Sequence, residues 1–201
     1  YGDVAASGEL GYSTGPTLTT DNTPQQRPAS HGLFFSVWKK QANGDWRVIV
    51  DLGVPLETAF APLDTPYQRA PQWQAKVPAG ENGETSLRSL LKAESDFFTL
   101  AKEGKGWQKY LHEAARLYRR NRVIRNAKDW LREPAGALSG ETIKAEVARS
   151  GELGYSYGKY ELGGNEKGYY TRVWKRDAQG LWRIVFDVTS PLPPEQKKSG
   201  E

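Results

Sequence analysis

Hydrophobic and polar residues alternate along the last third of the chain, and this alternation predicts four consecutive β-strands. The strands are expected over residues 143–149, 153–162, 168–176 and 181–189. The same alternation occurs over residues 33–38 and 46–52, with Gln41-Ala42-Asn43-Gly44 as the hairpin loop between them. Between residues 86 and 115 the hydrophobic residues instead recur with helical spacing, which predicts two helices.

The helices have recognisable ends in the sequence. Ser86 is expected to cap the first helix and Gly104 to end it. The second helix is expected to begin near Gly106 and to carry its hydrophobic residues on one side: Trp107, Tyr110, Leu111, Ala114 and Ala115. A short strand over 117–119 and a third helix capped by Asn126 complete this part. Helices followed by a four-stranded meander predict an α+β fold in which the helices cover one face of the sheet.

Two parts of the chain repeat each other. Residues 7–12 and residues 150–155 both read Ser-Gly-Glu-Leu-Gly-Tyr. Further along, Val-Trp-Lys at 37–39 returns at 173–175, and the segment 44–51 returns in similar form as 180–187. Such self-similarity predicts a tandem duplication.

The duplication suggests a division of the chain. We expect the sheet-forming half of a first domain at residues 1–56, a proline-rich linker at 57–84, a complete second domain at 85–192 and a polar tail at 193–201. The first copy has no helices ahead of it, so its hydrophobic face needs another cover. An upstream segment, a second chain or the linker could supply this cover, and we favour an upstream segment.

The predicted hairpin of the second copy assigns a side chain to each face of the sheet. Pairing Arg176 with Leu181 places a hydrophobic set under the helices: Thr171, Val173, Trp182, Ile184, Phe186 and Val188. The opposite face and its counterpart in the first copy are expected to form an association face: Trp38, Arg47, Asp51, Tyr170, Trp174, Arg183 and Asp187. We therefore expect the copies to pack sheet against sheet as a pseudo-dimer, or each to pack against a second chain.

The repeated motifs resemble a known family. Ser-Gly-Glu-Leu-Gly-Tyr-Ser-x-Gly, Gly-Tyr-Tyr-x-x-Val-Trp-Lys-Arg and Gly-x-Trp-Arg-x-x-x-Asp are similar to SnoaL-like domains of the nuclear-transport-factor-2-like (NTF2-like) superfamily, which includes ketosteroid-isomerase-like proteins. The resemblance covers residues 85–192 as a full domain and 3–56 as the sheet half. It implies a cone-shaped, curved antiparallel sheet with N-terminal helices covering one face. Because this fold hosts isomerases, cyclases, dehydratases and non-catalytic binding modules, it does not define an activity.

Composition narrows the chemistry. The 201 residues include no cysteine and two histidines, and the net charge is +4. This sequence therefore offers no disulfides, thiol nucleophiles or Cys-ligated metals, and we expect no metal site and no cofactor. No hydrophobic run has the length of a membrane span, so no membrane partner is expected. The composition favours no particular compartment.

An enzyme resembling ketosteroid isomerase or a polyketide cyclase would need a carboxylate base inside the cone. Asp187 is expected to pair with Arg183, and Glu94 and Asp96 are expected on a solvated helix face, so no catalytic residue is assigned. A pocket in the cone is instead expected to be lined by aromatic residues: Trp107, Tyr110, Tyr118, Trp130, Tyr155 and Tyr157. Its ligand is expected to be small and either hydrophobic or anionic.

Seven basic residues lie between Arg116 and Arg132 against one acid, Asp129. With Tyr118 and Trp130 interleaved, this segment could bind nucleic acid. The mild net charge favours a solvated face, so we expect no nucleic-acid binding. The favoured function is a small-molecule-binding and sheet-mediated association module without catalysis, and an isomerase-like or cyclase-like enzyme is the alternative.

Overall fold

The computed structural model describes residues 1–23, 25, 27–64, 66–133 and 136–193, so residues 194–201 of the predicted tail lie outside it. In chain order the elements are β1 (Gly2–Val4), β2 (Leu10–Thr19), β3 (Ser30–Lys40), β4 (Trp46–Leu56), α1 (Gly83–Ala101), α2 (Gly106–Tyr110), β5 (Leu111–Arg119), β6 (Arg122–Ile124), α3 (Ala127–Leu131), β7 (Leu138–Val147), β8 (Leu153–Leu162), β9 (Glu166–Arg176) and β10 (Trp182–Pro191).

The strands form two sheets. The first sheet has the order β1-β2-β3-β4 and is antiparallel throughout. The second sheet has the order β6-β5-β10-β9-β8-β7, and only its β5–β10 pair is parallel. α1 and α2 pack on one face of the second sheet. The α+β class predicted from the sequence, with helices covering one face of a mostly antiparallel curved sheet, is confirmed.

Two helix boundaries differ from the prediction. α1 begins at Gly83 because Asn82, and not Ser86, caps it: the Asn82 side chain accepts hydrogen bonds from the backbone N–H groups of Glu84 and Thr85. α2 ends at Tyr110, and the following residues form β5 despite their helical spacing. The strand prevails because β5 pairs with β10 and buries alternate side chains in the core of the second sheet.

The two sheets share one backbone register. The row Val4, Gly11, Trp38 and Val48 across the first sheet matches the row Val147, Gly154, Trp174 and Ile184 across the second. Each hairpin also has a β-bulge at the same place, at Ile49 in one and at Val185 in the other. The repeat seen in the sequence therefore extends to strand pairing.

The predicted faces of the second sheet are correct for Trp182 and Ile184 and wrong for the other four residues of the set, and register is the cause. Arg176 pairs with Trp182 rather than with Leu181, and a slip of one residue reverses the faces of β10 relative to β9. The bulge at Val185 then reverses the alternation again. The side chains under the helices are Tyr170, Arg172, Trp174, Trp182 and Ile184, whereas Thr171, Val173, Phe186 and Val188 lie on the opposite face.

The opposite face of the second sheet packs against the first sheet. Leu33, Phe35 and Val37 of β3 belong to the core between the sheets. The Phe35 ring stacks on Phe186 with centroids 4.6 Å apart. Ala70 of the linker joins the same core. The expectation that an upstream segment or a second chain covers the hydrophobic face of the first copy is therefore wrong for Leu33, Phe35 and Val37, because the second sheet covers them.

The contacts between the sheets are reciprocal. Ser7 and Ser150, which are equivalent in the repeat, place their Oγ atoms 2.7 Å apart, and each backbone N–H donates to the other Oγ at 3.1 Å. Two other kinds of contact also occur once in each direction. In the first, Lys39 Nζ lies 2.5 Å from Glu146 Oε2, and the equivalent Lys175 Nζ lies 2.6 Å from Asp3 Oδ2. In the second, the Ala6 N–H donates to Glu152 Oε1 at 2.6 Å, and the Arg149 N–H donates to Glu9 Oε1 at 2.7 Å. Reciprocity of this kind is a property of interfaces around a twofold axis.

The linker lies along the surface and is anchored by Trp73. Its indole Nε1 donates to the Arg176 carbonyl at 2.7 Å, and its ring stacks on His112 with centroids 4.1 Å apart. His112 is half-buried and lies on β5, whereas the sequence predicts that the second helix includes this residue. Burial lowers the pKa of His112 from its ordinary value of 6.5.

We expect this stacking to be visible in a pH titration. As the pH falls below about 6.5, the unfolded chain binds a proton at His112 before the folded chain does, so this residue's contribution to stability falls. Trp73→Ala should expose the imidazole and raise its pKa, as measured by NMR titration of the ring protons. Trp130→Ala, which removes a ring that packs on Trp107 instead, should leave the pKa unchanged. An unaltered pKa in Trp73→Ala would contradict the stacking.

Candidate functional site

The cone formed by the helices and the second sheet holds a buried carboxylate on α1. The buried side chains of α1 recur at helical spacing: Ser86, Leu90, Ala93, Glu94, Phe97, Phe98 and Ala101. Glu94 lies in the middle of this stripe and is 1% exposed, whereas Asp96 points outward and pairs with Lys92. The prediction that Glu94 lies on a solvated face is therefore wrong. The sequence does contain a signal for this burial, because Glu94 follows Leu90 by four residues and therefore lies on the same face of α1.

Every oxygen of the Glu94 carboxylate is engaged. Oε1 accepts from Arg172 Nη1 at 2.8 Å. Oε2 accepts from Ser156 Oγ at 2.6 Å and from Trp174 Nε1 at 2.7 Å. Its donors come from β8 and β9, and the sheet thus fixes the carboxylate that the helix supplies. The inward position of Arg172 was not predicted, although its neighbours on the same face of β9, Tyr170 and Trp174, are aromatic.

Arg172 also binds the acid of β10. Its Nε donates to Asp187 Oδ2 at 2.7 Å, and Arg119 Nη2 lies 2.6 Å from Asp187 Oδ1. The predicted pair of Asp187 with Arg183 is therefore wrong, since Arg183 pairs with Asp177. Burial opposes the charge of Arg172, but attraction to Glu94 and Asp187 outweighs it and raises the pKa of the guanidinium. Two acids and two arginines balance one another in this cluster.

Little free space remains in the cone beside this cluster. A cavity of about 30 Å³ lies at its mouth, between Phe98, Trp130 and Tyr170. That volume matches the share of one water molecule, whereas ligand pockets typically have about 300–1,000 Å³. Tyr170 is buried, and burial raises the pKa of its hydroxyl, which contacts Thr142 Oγ1 at 3.0 Å. In this state the cone can hold charge and a water, but it cannot admit a substrate of steroid size.

The aromatic residues predicted to line one pocket are divided between two cores. Trp107 and Tyr110 lie in the core under the helices, with Trp130 packed against it. Tyr118 and Tyr155 lie in the core between the sheets, with Tyr157 beside it. No shared cavity joins them among the described residues. They are separated because β5 and β8 each present side chains to both faces of the second sheet.

The residues assigned to the association face are also elsewhere. Tyr170, Trp174 and Asp187 lie under the helices. Trp38 and Asp51 lie on the outer side of the first sheet, where Trp38 Nε1 donates to Ser13 Oγ and Asp51 accepts from Ser36 Oγ. Arg47 and Arg183 pair with aspartates near them in sequence, Asp45 and Asp177. None of the seven belongs to the hydrophobic core between the sheets.

A larger cavity lies where the first sheet, the linker and β5 meet, and we call it the junction cavity. Its volume is about 350 Å³. Its lining residues are Tyr1, Thr14, Gly15, Pro16, Phe34, Phe60, Ala61, Leu63, Pro66, Tyr67, Gln68, Arg116, Tyr118 and Arg125. Aromatic rings and two arginines thus face this cavity, and its described lining contains no acid.

Both arginines of the junction cavity lie over aromatic rings. The Arg116 guanidinium carbon is 3.4 Å from the Tyr1 ring centroid, and that of Arg125 is 4.6 Å from the Phe60 centroid. Among the described residues neither forms an ion pair. Other basic residues of the segment 116–132 do: Arg119 binds Asp187, and Arg122 binds Glu133. The segment therefore does not present one continuous basic face.

Within the described ranges no group of three His, Asp or Glu side chains is arranged to hold a metal ion. No helix in the part of the chain that the structure describes combines the length and the hydrophobicity that a membrane span requires.

Comparison with known proteins gives structural matches alone. No family model matches the sequence, and no curated protein matches it. An NTF2-like protein from Cytophaga hutchinsonii is 14% identical with a TM-score of 0.44, and the match covers 51% of this chain and 95% of that one. An NTF2-like superfamily protein from Salmonella enterica serovar Typhimurium is 10% identical with a TM-score of 0.44, covering 59% and 99%.

A protein from Parabacteroides distasonis that is proposed to be a ketosteroid isomerase is 12% identical with a TM-score of 0.42. This match covers 53% of the present chain and 88% of that chain. The three solved structures named here are thus described as NTF2-like proteins or as a proposed ketosteroid isomerase.

Proposed function

We propose that this chain is a non-catalytic binding module that takes a small planar anion in the junction cavity. The observation that carries the proposal is the pair Arg116 and Arg125, which face an aromatic-lined cavity without an acidic partner. A guanidinium without a carboxylate can form charge-assisted hydrogen bonds to a bound anion. The aromatic walls favour a flat, hydrophobic body attached to that anion.

The closed cone supports the same proposal. A general base needs a carboxylate that can reach a substrate proton. Glu94 has both oxygens occupied by Ser156, Arg172 and Trp174, and Asp187 is held between two arginines. Isomerase-like or cyclase-like chemistry would require this cluster to open. The ligand-binding capacity therefore fits better outside the cone.

Charge distinguishes the junction cavity from a groove on the second sheet. A groove of about 530 Å³ beside β7, β8 and β9 is larger. Its rim carries both acids and bases, Glu141 and Glu161 with Lys159 and Lys167, so it offers no net attraction to either sign of charge. The junction cavity has a volume within the usual range for small ligands and a single sign of charge.

The test uses 2-naphthoate, a planar aromatic carboxylate, and the neutral 2-naphthamide as its control. We expect 2-naphthoate to bind by isothermal titration calorimetry and the amide to bind at least about tenfold more weakly, because a hydrogen bond to a charged group contributes about 1.5–3 kcal/mol. Arg116→Gln and Arg125→Gln should each weaken the carboxylate by about tenfold for the same reason.

Arg120→Gln is the matched control for these variants. It removes the same charge from the same segment, but Arg120 is exposed and does not line the cavity. We expect less than about a twofold change, since an exposed charge at a distance is screened by salt. Equal losses in all three variants would indicate nonspecific charge attraction and refute the proposed site. Equal binding of carboxylate and amide would show that the charge of the ligand does not contribute, and it would refute the site as well.

We further propose that residues 1–56 and 85–192 form an internal pseudo-dimer through their sheets, with 57–84 as the connecting linker. The reciprocal contacts at Ser7 and Ser150 support this, as do the paired bridges Lys39–Glu146 and Lys175–Asp3. The junction cavity lies beside this interface and takes walls from both sheets. In this arrangement the first sheet completes a binding site that the second domain lacks alone.

A further inference from the structure

One face of the first sheet is uncovered within the described part of the chain. We call it the outer face, and it consists of Val4, Ser13, Phe34, Ser36, Trp38, Trp46, Val48 and Asp51. Three of its apolar members are exposed: Val4 is 44% exposed, Trp46 38% and Val48 42%. Apolar surface clustered on one face indicates an interface.

The repeat within the chain shows what kind of element fits the outer face. The positions equivalent to Trp46 and Val48 are Trp182 and Ile184, which are 5% and 0% exposed. Helices α1 and α2 cover them, and Ser89 of α1 lies 3.0 Å from Trp182 Nε1. Because the two sheets share one register and one bulge, the outer face has the shape that accepts a helix across its strands.

Charge distinguishes the two helix-binding faces. On the second sheet, Arg172 and Asp187 lie side by side, and α1 brings the acid Glu94 to the arginine. On the first sheet the position of Arg172 is taken by Ser36, while Asp51 keeps the position of Asp187. Asp51 accepts from Ser36 Oγ at 2.6 Å and forms no ion pair within the described residues.

The outer face therefore has an acid where the second sheet has a balanced pair. A helix with a glutamate at the position of Glu94 would meet Asp51 without the arginine that separates the acids on the second sheet. Like charges at close range disfavour such a contact, whereas a cation on the helix would satisfy the carboxylate.

We propose that the outer face docks an amphipathic helix of a partner polypeptide, whose buried stripe presents a lysine or arginine to Asp51. Apolar residues of the same stripe would pack on Trp38, Trp46 and Val48. This surface shares only Phe34 with the lining of the junction cavity, and the proposal does not rest on the proposed anion binding.

The chain's own α1 supplies the probe. Two synthetic peptides spanning residues 82–101 are compared against the full chain by fluorescence anisotropy, one with the native Glu94 and one with Glu94→Arg. We expect the arginine peptide to bind about tenfold more tightly, which is the size of effect given by one charge-assisted hydrogen bond. Asp51→Asn in the protein should remove this preference while retaining binding through the apolar stripe.

Two further variants separate the outer face from other surfaces. Val48→Lys should weaken both peptides by at least about tenfold, since it introduces a charge into the apolar contact. Ile143→Lys alters a side chain that is 51% exposed on β7 and should have no effect. Thermal unfolding of each variant checks that it remains folded.

Several outcomes would overturn the inference. Equal affinity of the two peptides, affinity that ignores Val48→Lys, or absence of binding at millimolar peptide would each contradict a helix-docking face. A concentration-dependent dimer of the chain in sedimentation, abolished by Val48→Lys, would show that a second copy occupies the outer face and would also overturn it.

Discussion

We expect Arg172→Met to lower the free energy of unfolding by about 3–5 kcal/mol, as measured by urea denaturation. The arginine is buried between Glu94 and Asp187, and its guanidinium lies 4.0 Å from the Phe97 ring centroid. Methionine is apolar and fills a similar volume, so loss of packing is small. The cost arises because Glu94 is left as a buried carboxylate without a cation.

A second substitution and a surface control separate charge from packing. Glu94→Gln combined with Arg172→Met removes the uncompensated charge and leaves Asp187 paired with Arg119, so the double variant should recover much of the loss. Arg183→Met breaks the more exposed pair with Asp177, which lies in the turn between β9 and β10, and should cost less than about 1 kcal/mol. Similar costs for Arg172→Met and Arg183→Met would mean that the cone is open to water.

We expect Phe186→Ala to destabilise the chain by about 3–5 kcal/mol, because it creates a cavity at the centre of the core between the sheets. The Phe186 ring is fully buried and packs against rings from both sheets. Its centroid lies 4.6 Å from that of Phe35, 4.8 Å from that of Tyr118 and 5.8 Å from that of Tyr12. The substitution should also make the sheets easier to separate, which is measured as faster hydrogen exchange of the β2 and β3 amides.

Leu181→Ala provides the comparison on the same hairpin. Leu181 is 56% exposed at the turn before β10, so its truncation should change stability by no more than about 0.5 kcal/mol. If Phe186→Ala were as mild as Leu181→Ala, the sheets would not be packed against each other in solution.

The fold class could be predicted because helical spacing over residues 86–115 and alternation in the last third of the chain together indicate helices followed by a meander. The pairing of strands could not be predicted to within one residue. Nothing local in the sequence distinguishes Arg176 opposite Leu181 from Arg176 opposite Trp182. A one-residue slip and a bulge at Val185 were sufficient to place Val173, Phe186 and Val188 on the face opposite to the helices, while Trp182 and Ile184 stay under them.

The candidate site was harder to predict than the fold for a different reason. Charged residues are normally exposed, so a solvated position is expected for Glu94, and the burial of Arg172 is missed. Their burial depends on each other and on Asp187, and these three residues come from α1, β9 and β10. The junction cavity depends on the linker as well, and its path across β5 leaves no periodic signal in the sequence.

The location of ligand binding tests the central claim most directly. NMR spectra that resolve arginine side-chain Nε–H and tryptophan indole signals are recorded during a titration with 2-naphthoate. We predict that the signals of Arg116 and Arg125 shift with one dissociation constant, while those of Arg172 and Trp174 stay in place. Shifts confined to Arg172 and Trp174 would place the ligand in the cone and contradict the account.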